Sequence, residues 1–415
     1  MEASCFCVIC GSPFSPEGEV YNLDARAPRY KWMRNHRLLG SRQDIHHHNL
    51  AGLSATEFHS ACYNASDSTD VFLSAAASWN ETNDQLFHID GRCPGTETPD
   101  KITFNAMQQI GSYDTVFPLH EDCLQISCRV IDQLKPIAKD NDGFSSLSAL
   151  NKMLQSRYRL KAQCTKEDSI IARNDLFDLC TVTGINGPRS VVGLSLLEWW
   201  AGEYEKFYTD PVNVPNLTAH VLGLLQDTTS PAPRRYSLSP PFHMSCGIDR
   251  LPAELIDQIS IHLPAHSALA LHRTSRTLAF KLTLDNDFWR RNIMSGTALP
   301  YLWDLDTNEL EKLRQEGLRK SPLESDAAWD WREIGQLLAM KYFALKPPDP
   351  RTSSLPNGLW NRRRIWSIVE EAYRHDFPGN SDVDQIDGLI GERKRCEPVF
   401  DWQLEEIMDD LGHYS

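Results

Sequence analysis

The chain has 415 residues, a length that accommodates about two or three domains of ordinary size. Its 42 Lys and Arg residues are outnumbered by 56 Asp and Glu residues, and the net charge of −14 argues against a broadly basic surface of the kind that binds nucleic acid. Hydrophobic residues make up 41% of the chain, enough for a sizeable core, and no apolar run approaches the ~18 residues needed to cross a bilayer. Membrane association is therefore not expected.

The cysteines indicate a reducing compartment. There are 11 of them, an odd number scattered along the chain, so a complete disulfide framework is not expected. The first residues, MEASCFCVICGSPF, lack the basic segment and the uninterrupted apolar core of an export signal. We therefore expect reduced thiols and a location in the cytoplasm, the nucleus or both.

The N-terminal part, residues 1–225, is predicted to be an irregular α+β region with a candidate zinc site. Two residues separate Cys7 from Cys10 and Gly11 follows, so both thiolates can bind one ion while the glycine lets the backbone curl behind them. His120 and Cys123 repeat this spacing downstream. Together these four side chains would form a Cys3His tetrahedron, which is typical of structural rather than catalytic zinc.

Two alternatives to this ligand set stay open. Other cysteines compete as ligands, namely Cys5, Cys62, Cys93 and Cys128. Alternatively, Cys7 and Cys10 are small buried hydrophobic residues that bind no metal.

The remaining elements of the N-terminal part are predicted from hydrophobic periodicity. Helical spacing of apolar residues predicts helices over residues 32–39, 120–134, 148–160 and 194–208. A strand is expected at 85–89, within a stretch, 60–100, whose Ser, Asn, Asp, Thr and Gly residues otherwise indicate irregular connection.

The next segment, residues 226–247, is predicted to be a linker. Pro231, Pro233, Pro240 and Pro241 occur among Ser and Thr residues. Proline at this density is incompatible with helices and with sheet pairing, so a semi-rigid connection and a domain boundary are expected here.

Residues 248–292 are predicted to form a unit of three short helices. Pro252 fits the first turn of the first helix, and Pro264 ends that helix. Two more helices are expected at 267–273 and 276–284, followed by the aromatic pair Phe288-Trp289. So small a bundle has little core of its own, and apolar surface left over on it is typical of a partner-binding site.

This unit resembles an F-box. The resemblance rests on the LPAELI run that begins at Leu251, on Leu263-Pro264, Leu269 and Ser275-Arg276, and on the closing Phe288-Trp289. F-box proteins bind the Skp-type adaptor of a cullin ubiquitin ligase and recruit protein substrates to it. The resemblance implies an adaptor-binding surface drawn from Leu251, Pro252, Glu254, Leu255, Ile259, Leu263, Pro264, Leu269 and Leu271.

The C-terminal part, residues 293–415, is predicted to be helical. Helices are expected at 304–319, from Trp329 to about residue 342, from Gly358 to about residue 373, and at 401–411. No regular repeat of 20–50 residues is found, so neither a propeller nor leucine-rich repeats are expected. The N-terminal CxxCG and HxxC pairs and the runs Asp330–Arg332 and Asn361–Trp366 are similar to segments of filamentous-fungal F-box proteins.

These features predict a mainly α-helical, non-catalytic adaptor. The partners implied by the resemblance are the Skp-type adaptor, through it a cullin scaffold, and a protein substrate of unknown identity. An enzyme is not expected, because the sequence has no phosphate-binding glycine loop, no Gly-x-Ser-x-Gly elbow and no His-Glu-x-x-His helix.

The alternative function is a zinc-containing nucleic-acid-binding or regulatory interaction protein outside a ligase. It would use Arg362–Arg364 beside Trp360 and Trp366, since arginines contact phosphates and tryptophans stack on bases. The acidic net charge instead favours a helix that presents its arginines to solvent or to acidic neighbours and packs its tryptophans inward. Nucleic acid is accordingly not expected as a partner.

Overall fold

The computed structural model describes residues 7–14, 26–41, 71–79, 86–91, 100–105, 116–135, 145–164, 206, 208–227, 247–282, 284–320, 329–339, 351–352 and 355–377. These residues are mostly helical and include a small antiparallel sheet in the N-terminal part, which confirms the predicted fold class at that level. They divide into two compact units. The first combines the described residues up to 214 with residues 357–377, and the second contains the described residues from 215 to 356.

The first unit contains a six-stranded antiparallel sheet. Its strands are β1 (His36–Ser41), β2 (Val71–Leu73), β3 (Ala77–Trp79), β4 (Leu86–Gly91), β5 (Asp100–Asn105) and β6 (Phe117–His120). β2 and β3 pair with successive parts of one edge of β1, and β4 and β5 follow β3 in the sheet. β6 pairs with the opposite edge of β1. Within this sheet His36 pairs with both Ala77 and His120, and Pro118 lies opposite Leu38. Proline is compatible with this position because, among the described strands, β6 pairs only with β1 and is an edge strand.

The helices of the described residues follow in chain order. They are α1 (Glu121–Leu134), α2 (Ser146–Cys164), α3 (Leu217–Asp227), α4 (Ala253–His262), α5 (Ala265–Thr274), α6 (Arg276–Lys281), α7 (Asn286–Met294), α8 (Thr307–Lys320), α9 (Trp331–Leu338) and α10 (Asn357–Asp376). In the first unit α1 packs against α2 and α10. None of these helices is both long enough and apolar enough to cross a membrane.

The observed grouping differs from the predicted ranges at two helices. α3 begins in the predicted N-terminal part and ends two residues into the predicted linker, but it belongs to the second unit. α10 falls within the predicted C-terminal part but belongs to the first. The reason for α10 is its burial, because side chains around its whole circumference are enclosed and require neighbours on every side. Residues 228–246 of the predicted linker lie outside the described residues.

One predicted element of the first unit is wrong. Residues 32–39 form no α-helix, because a 3₁₀ turn over Pro28–Arg34 leads directly into β1. The apolar Leu38 and Leu39 are both fully buried, although they point to opposite faces of the strand. The predicted irregular stretch 60–100 likewise contains β2, β3, the whole of β4 and the first residue of β5, whereas the predicted strand 85–89 is confirmed as β4.

The helices predicted at 120–134, 148–160, 304–319 and from residue 358 are confirmed as α1, α2, α8 and α10. The helix expected from Trp329 is confirmed as the shorter α9. Apart from Lys206 and Tyr208, the predicted helix at 194–208 lies outside the described residues, as does the one at 401–411.

In the second unit α4, α5 and α6 form a small helical triplet. α4 ends at His262 with Pro264 just beyond, and α5 ends where Ser275 caps α6 by accepting the Leu278 N–H. The core of the triplet is formed by Ile256, Leu278 and Leu282, against which Leu251, Leu271 and Leu284 pack. The helix boundaries therefore agree with the positions of the helix-terminating proline and the capping serine in the sequence.

The turn that precedes α4 is held to α6 by polar contacts. The Ser275 hydroxyl donates to the Asp249 carboxylate at 2.8 Å. The Lys281 ammonium donates to the carbonyl oxygens of Asp249 and Leu251 at 2.6 and 2.7 Å. These bonds fix the 3₁₀ turn Gly247–Arg250, and with it the start of α4.

The aromatic pair predicted to close the triplet lies on a further helix, α7. Asp285 caps α7 by accepting the Phe288 N–H at 2.8 Å, and both Phe288 and Trp289 are buried. α7 packs against α9 so closely that a Cβ on Gly335 would lie 2.9 Å from Cε3 of Trp289. The second unit thus extends its core beyond three helices through α7 and α9.

Candidate metal centre and candidate docking face

The first half of the candidate metal centre is a tight turn that carries Cys7 and Cys10. Gly11 has φ +74°, a conformation that residues with a Cβ rarely adopt, and its N–H donates to the Cys7 carbonyl at 3.0 Å. The Cys7 N–H donates to the Ser12 carbonyl at 3.0 Å, and the Ser12 N–H points at Cys10 Sγ at 3.4 Å. An N–H directed at sulfur favours the thiolate over the thiol.

The second half is the junction between β6 and α1. His120 is the last residue of β6, and Cys123 lies in the first turn of α1. The halves meet directly, because the Val8 N–H donates to the Pro118 carbonyl at 3.2 Å and the His120 N–H points at Cys7 Sγ at 3.4 Å. The pairing of β6 with β1 therefore determines where the second pair of ligands lies.

The structure brings together all four predicted metal ligands. Cys7, Cys10, His120 and Cys123 are fully buried, and their ligand atoms all lie within 4.8 Å of one another. A tetrahedral zinc site with Zn–S bonds of about 2.3 Å places sulfur atoms about 3.8 Å apart, so this spacing is compatible with structural zinc. Four buried protein ligands leave no position for a substrate. The arrangement is therefore compatible with a structural metal site.

The hydrogen bonds of His120 indicate which ring nitrogen faces the sulfur atoms. Nε2 lies 3.2 Å from the Pro13 carbonyl oxygen, which can only accept, so Nε2 carries the proton. Nδ1 lies 3.4 Å from Cys10 Sγ. It would present its lone pair to a bound metal ion, whereas without one the raised pKa of His120 keeps Nδ1 protonated towards the sulfur. A backbone acceptor on the distal nitrogen is the usual way in which proteins orient a histidine that binds metal.

Aromatic rings enclose this histidine. The ring centroids of Trp32 and Phe14 lie 4.7 and 4.9 Å from that of His120. Trp32 is itself fixed by an Nε1–H bond of 2.8 Å to the Tyr208 carbonyl. The apolar enclosure excludes water and strengthens electrostatic interactions among the four ligands.

The electrostatics of the cluster favour a cation. Burial raises the pKa of the Cys123 thiol well above its ordinary value, and the neighbouring Cys10 and Cys7 raise it further. Burial also raises the pKa of Cys10, but hydrogen bonds from Cys123 and Cys7 and the charge of His120 outweigh burial and lower it well below its ordinary value. Burial lowers the pKa of His120, whereas the Cys7 and Cys10 thiolates raise it to about 10. A divalent cation would allow all three thiols to ionise together.

Of the four competing cysteines, Cys128 alone lies among the described residues, and it is not part of the cluster. Cys128 lies further along α1, only partly exposed, where burial raises its pKa to about 12. Cys5, Cys62 and Cys93 lie outside the described residues.

His36 pairs with His120 in the sheet, and its burial makes the stability of the first unit depend on pH. Burial and, to a smaller extent, the charge of His120 together lower the pKa of His36 from 6.5 to about 3. Between these values the folded state binds fewer protons than the unfolded state, so His36 makes the first unit lose stability as the pH falls from about 6.5 towards 3. The slope for one such group is at most about 1.4 kcal/mol per pH unit.

We expect His36→Phe to reduce this acid sensitivity, because a phenyl ring can pack against Phe14 and Phe87 without taking up a proton. The measurement is the urea midpoint of wild type and variant at several pH values between 7 and 5. Acid titration of the metal ligands affects both proteins alike, so the difference between the two reports on His36. Parallel pH profiles would contradict the assignment.

The candidate docking face lies on the helical triplet. Among the described residues, the large hydrophobic side chains that are exposed are Ile248 (41%), Leu255 (49%), Ile261 (49%) and Phe280 (44%). All four lie between residues 248 and 280, within the predicted F-box.

The exposed residues of α4 form one stripe. At about 100° per residue, they fall within an arc of about 120°. They are Glu254, Leu255, Gln258, Ile261 and His262. Ile256 and Ser260 lie on the opposite, buried side. Leu255 and Ile261 therefore share a face that points away from the core of the triplet.

The residues predicted to bind an adaptor divide between surface and core. Pro252, Glu254 and Leu255 are exposed, and Leu269 is buried. The others are half-buried, namely Leu251, Ile259, Leu263, Pro264 and Leu271. Ile248, Ile261 and Phe280, which were not among the predicted residues, are exposed as well. Their hydrophobicity was visible in the sequence, but their exposure was not.

The arginine run on α10 is buried. Arg362 is fully buried, and it donates to the carbonyl oxygens of Pro211 and Val212 at 2.6 and 2.8 Å. Arg363 is also buried, 4.0 Å from the Glu370 carboxylate. Two alternatives were predicted for these arginines, acidic neighbours or exposure to solvent. Glu370 is such an acidic neighbour for Arg363, whereas exposure to solvent is wrong.

Trp360 and Trp366 are buried, as predicted for tryptophans that pack inward. The sequence indicates the burial of this run, because the apolar residues before and after it are distributed over every side of the helix.

No family model matches the chain, and no match is found among curated proteins or among solved structures.

Proposed function

We propose that this chain is a non-catalytic F-box subunit, which binds a Skp-type adaptor through its helical triplet and recruits a protein substrate to a cullin ubiquitin ligase. The observation that carries the proposal is the concentration of exposed large hydrophobic side chains on the triplet and the turn before it, at Leu255, Ile261 and Phe280 of the triplet and Ile248 of the turn. Apolar side chains that cluster on one small helical unit are typical of a partner-binding surface.

The exposed apolar residues could supply part of the binding energy of a specific interface. Complete burial of a Leu or Ile side chain contributes about 1.5–3 kcal/mol, so each half-exposed residue of the stripe would contribute about 1 kcal/mol on binding. A standard interface buries about 1,600 Å² in total and usually depends on a few such residues near its centre.

The core of the triplet is separate from the proposed docking stripe. Ile256, Leu278 and Leu282 hold the helices together, whereas Leu255 and Ile261 point outward. Substitutions on the stripe should therefore leave the fold intact. Leu251 is less useful for such a test, because it packs against the core and its truncation would also weaken the triplet.

We expect the double variant Leu255→Asp with Ile261→Asp to lose adaptor binding by about 100-fold or more. A carboxylate buried in an interface without a partner costs about 3 kcal/mol or more. The measurement is titration calorimetry with a purified Skp-type adaptor, alongside circular dichroism of the variant.

The matched control is Asn308→Asp with Gln336→Asp, which adds the same charge to exposed positions of α8 and α9 in the same unit. The control should bind like the wild type. Equal affinity of the stripe variant and the wild type would refute the proposed docking face.

We also propose that Cys7, Cys10, His120 and Cys123 bind a structural zinc ion. The support is their complete burial, their mutual distances and the histidine nitrogen that faces the sulfur atoms. When bound, zinc would supply a cross-link between the N-terminal turn and the β6–α1 junction. The ion would then stabilise the first unit without taking part in chemistry.

The alternative function, a nucleic-acid-binding protein, has less support. Arg362 and Arg363 are buried among backbone carbonyls and a carboxylate, so they present no phosphate-binding face. Affinity purification from the native host followed by mass spectrometry would separate the two. Peptides of a Skp-type adaptor and a cullin would favour the ligase subunit, whereas co-purifying nucleic acid without them would favour the alternative.

A further inference from the structure

Arg364 on α10 contacts the candidate metal centre from a distant part of the chain. Its guanidinium is fully buried, and Nη1 donates to the carbonyl oxygen of Cys10 at 2.7 Å, across 354 positions of sequence. The contact therefore joins the helix that ends the described chain to one of the four metal ligands. Arg362, two residues earlier, donates to a different segment.

The orientation of Arg364 is fixed by a neighbouring amide. The Asn361 Oδ1 accepts from both Nε and Nη2 of Arg364, at 3.3 and 3.1 Å. The Asn361 Nδ2 in turn donates to the Thr209 carbonyl at 2.8 Å. The Arg364 guanidinium is thus held in one position by the same helix that carries it.

The charge expected of a zinc-loaded centre favours a cation nearby. Three thiolates contribute −3, the zinc ion contributes +2 and a neutral histidine contributes nothing, so the loaded centre would carry a net charge of −1. An isolated charge is costly to bury, and so is a guanidinium. Placing the two together reduces both costs, because electrostatic attraction is strong where water is excluded.

From this geometry we infer that Arg364 is the internal counter-ion and positioning residue of the zinc centre, so that metal binding and docking of α10 onto the Cys7–Cys10 turn stabilise each other. The inference rests on the proposed zinc site and assigns a partner to it. Because linkage is reciprocal, removing the charge of Arg364 weakens metal binding, and removing the metal loosens the contact between α10 and the turn.

The test uses the full-length chain reconstituted with Co²⁺, which reports on thiolate ligation by its charge-transfer absorption, and with Zn²⁺ in competition with a chelator. We expect Arg364→Gln to bind Zn²⁺ about 10- to 100-fold more weakly, as is typical when a group supporting a metal ligand is lost. We also expect its thiolate-to-cobalt band to shift to lower energy, since a nearby positive charge no longer stabilises the sulfur electrons. Arg364→Lys keeps the charge and should restore most of the band energy.

Arg362→Gln is the matched control, because Arg362 is an equally buried arginine on the same helix that donates to Pro211 and Val212 instead of Cys10. It should lower the stability of the first unit but leave the cobalt band unchanged. A band shift of the same size in Arg362→Gln and Arg364→Gln would overturn the inference, as would a wild-type band and affinity in Arg364→Gln. A wild-type chain that binds neither ion would instead overturn the proposed zinc site itself.

Discussion

Cys123→Ser is expected to abolish zinc binding and to unfold the first unit. Structural zinc sites contribute an apparent binding free energy of about 10–16 kcal/mol, which is comparable to the whole stability of a domain, about 5–15 kcal/mol. Cys123 is fully buried among the other ligands, so serine would leave a weak ligand in an enclosed site. The measurements are zinc content by atomic absorption and thermal unfolding followed by circular dichroism.

The wild type treated with a strong chelator should behave like this variant, since the two treatments remove the same ion. The second unit contains none of the four ligands, so the adaptor binding proposed for the Leu255–Ile261 stripe should persist in both cases. This separates loss of zinc from general unfolding.

Cys128→Ser is the matched control on the same helix. Cys128 lies outside the cluster and is only partly exposed, so its replacement should cost about 1 kcal/mol and leave the zinc content unchanged. A wild-type protein that contains no zinc and is insensitive to the chelator would contradict the proposed metal centre.

Gly358→Ala is expected to destabilise the first unit by about 3 kcal/mol or more, a large effect for one methyl group. A Cβ at this position would overlap the carbonyl oxygen of Asp210 and lie 3.3 Å from Cγ2 of Val214. The methyl group would therefore meet backbone at its closest contact, where no rotamer change can relieve the clash. Urea unfolding monitored by tryptophan fluorescence measures the loss.

The loop at Asp210, opposite Gly358, is held in place by hydrogen bonds. The Asp210 N–H donates to the Arg29 carbonyl at 2.9 Å, and the Asp210 carboxylate accepts the N–H groups of Val212 and Asn213 at 2.9 and 2.8 Å. Arg362 holds the carbonyl oxygens of the same loop. Moving the loop away from α10 would break several of these bonds at once.

Gly223→Ala provides the control for helix propensity. Gly223 lies inside α3, and a Cβ there would meet no atom within 4 Å. Alanine should therefore stabilise α3 by about 0.5–1 kcal/mol. If Gly358→Ala were as harmless as Gly223→Ala, the close approach of α10 to the loop at Asp210 would be wrong.

The two candidate sites depend on different kinds of information. The boundaries of α4 follow from Pro252 and Pro264, and the Cys7–Cys10 turn follows from the spacing of the cysteines and from Gly11. In each case the cause lies within a few residues of its effect, since proline and glycine act on the local backbone. Sequence reasoning could therefore predict both features.

Other predictions were wrong because their cause is distant in sequence. Residues 32–39 have an apolar pattern that a short helix also satisfies, but β2, β3 and β6 pair with this segment and make part of it β1. Short apolar runs do not distinguish helix from strand until their hydrogen-bonding partners are known. The arginines of α10 were misjudged for a similar reason, because the carbonyl groups that accept from Arg362 and Arg364 lie 150 or more residues away.

The sequence by itself determined the helical triplet, its bounding prolines, and the two residue pairs able to bind one metal ion, because these depend on residue type and short-range spacing. The tertiary structure alone decided that the two pairs meet, that Leu255 and Ile261 face outward while Ile256 faces the core, and that Arg364 reaches the Cys10 carbonyl. The physical reason is that burial and charge pairing are properties of contacts between distant segments. Such contacts form only when the strands and helices have packed.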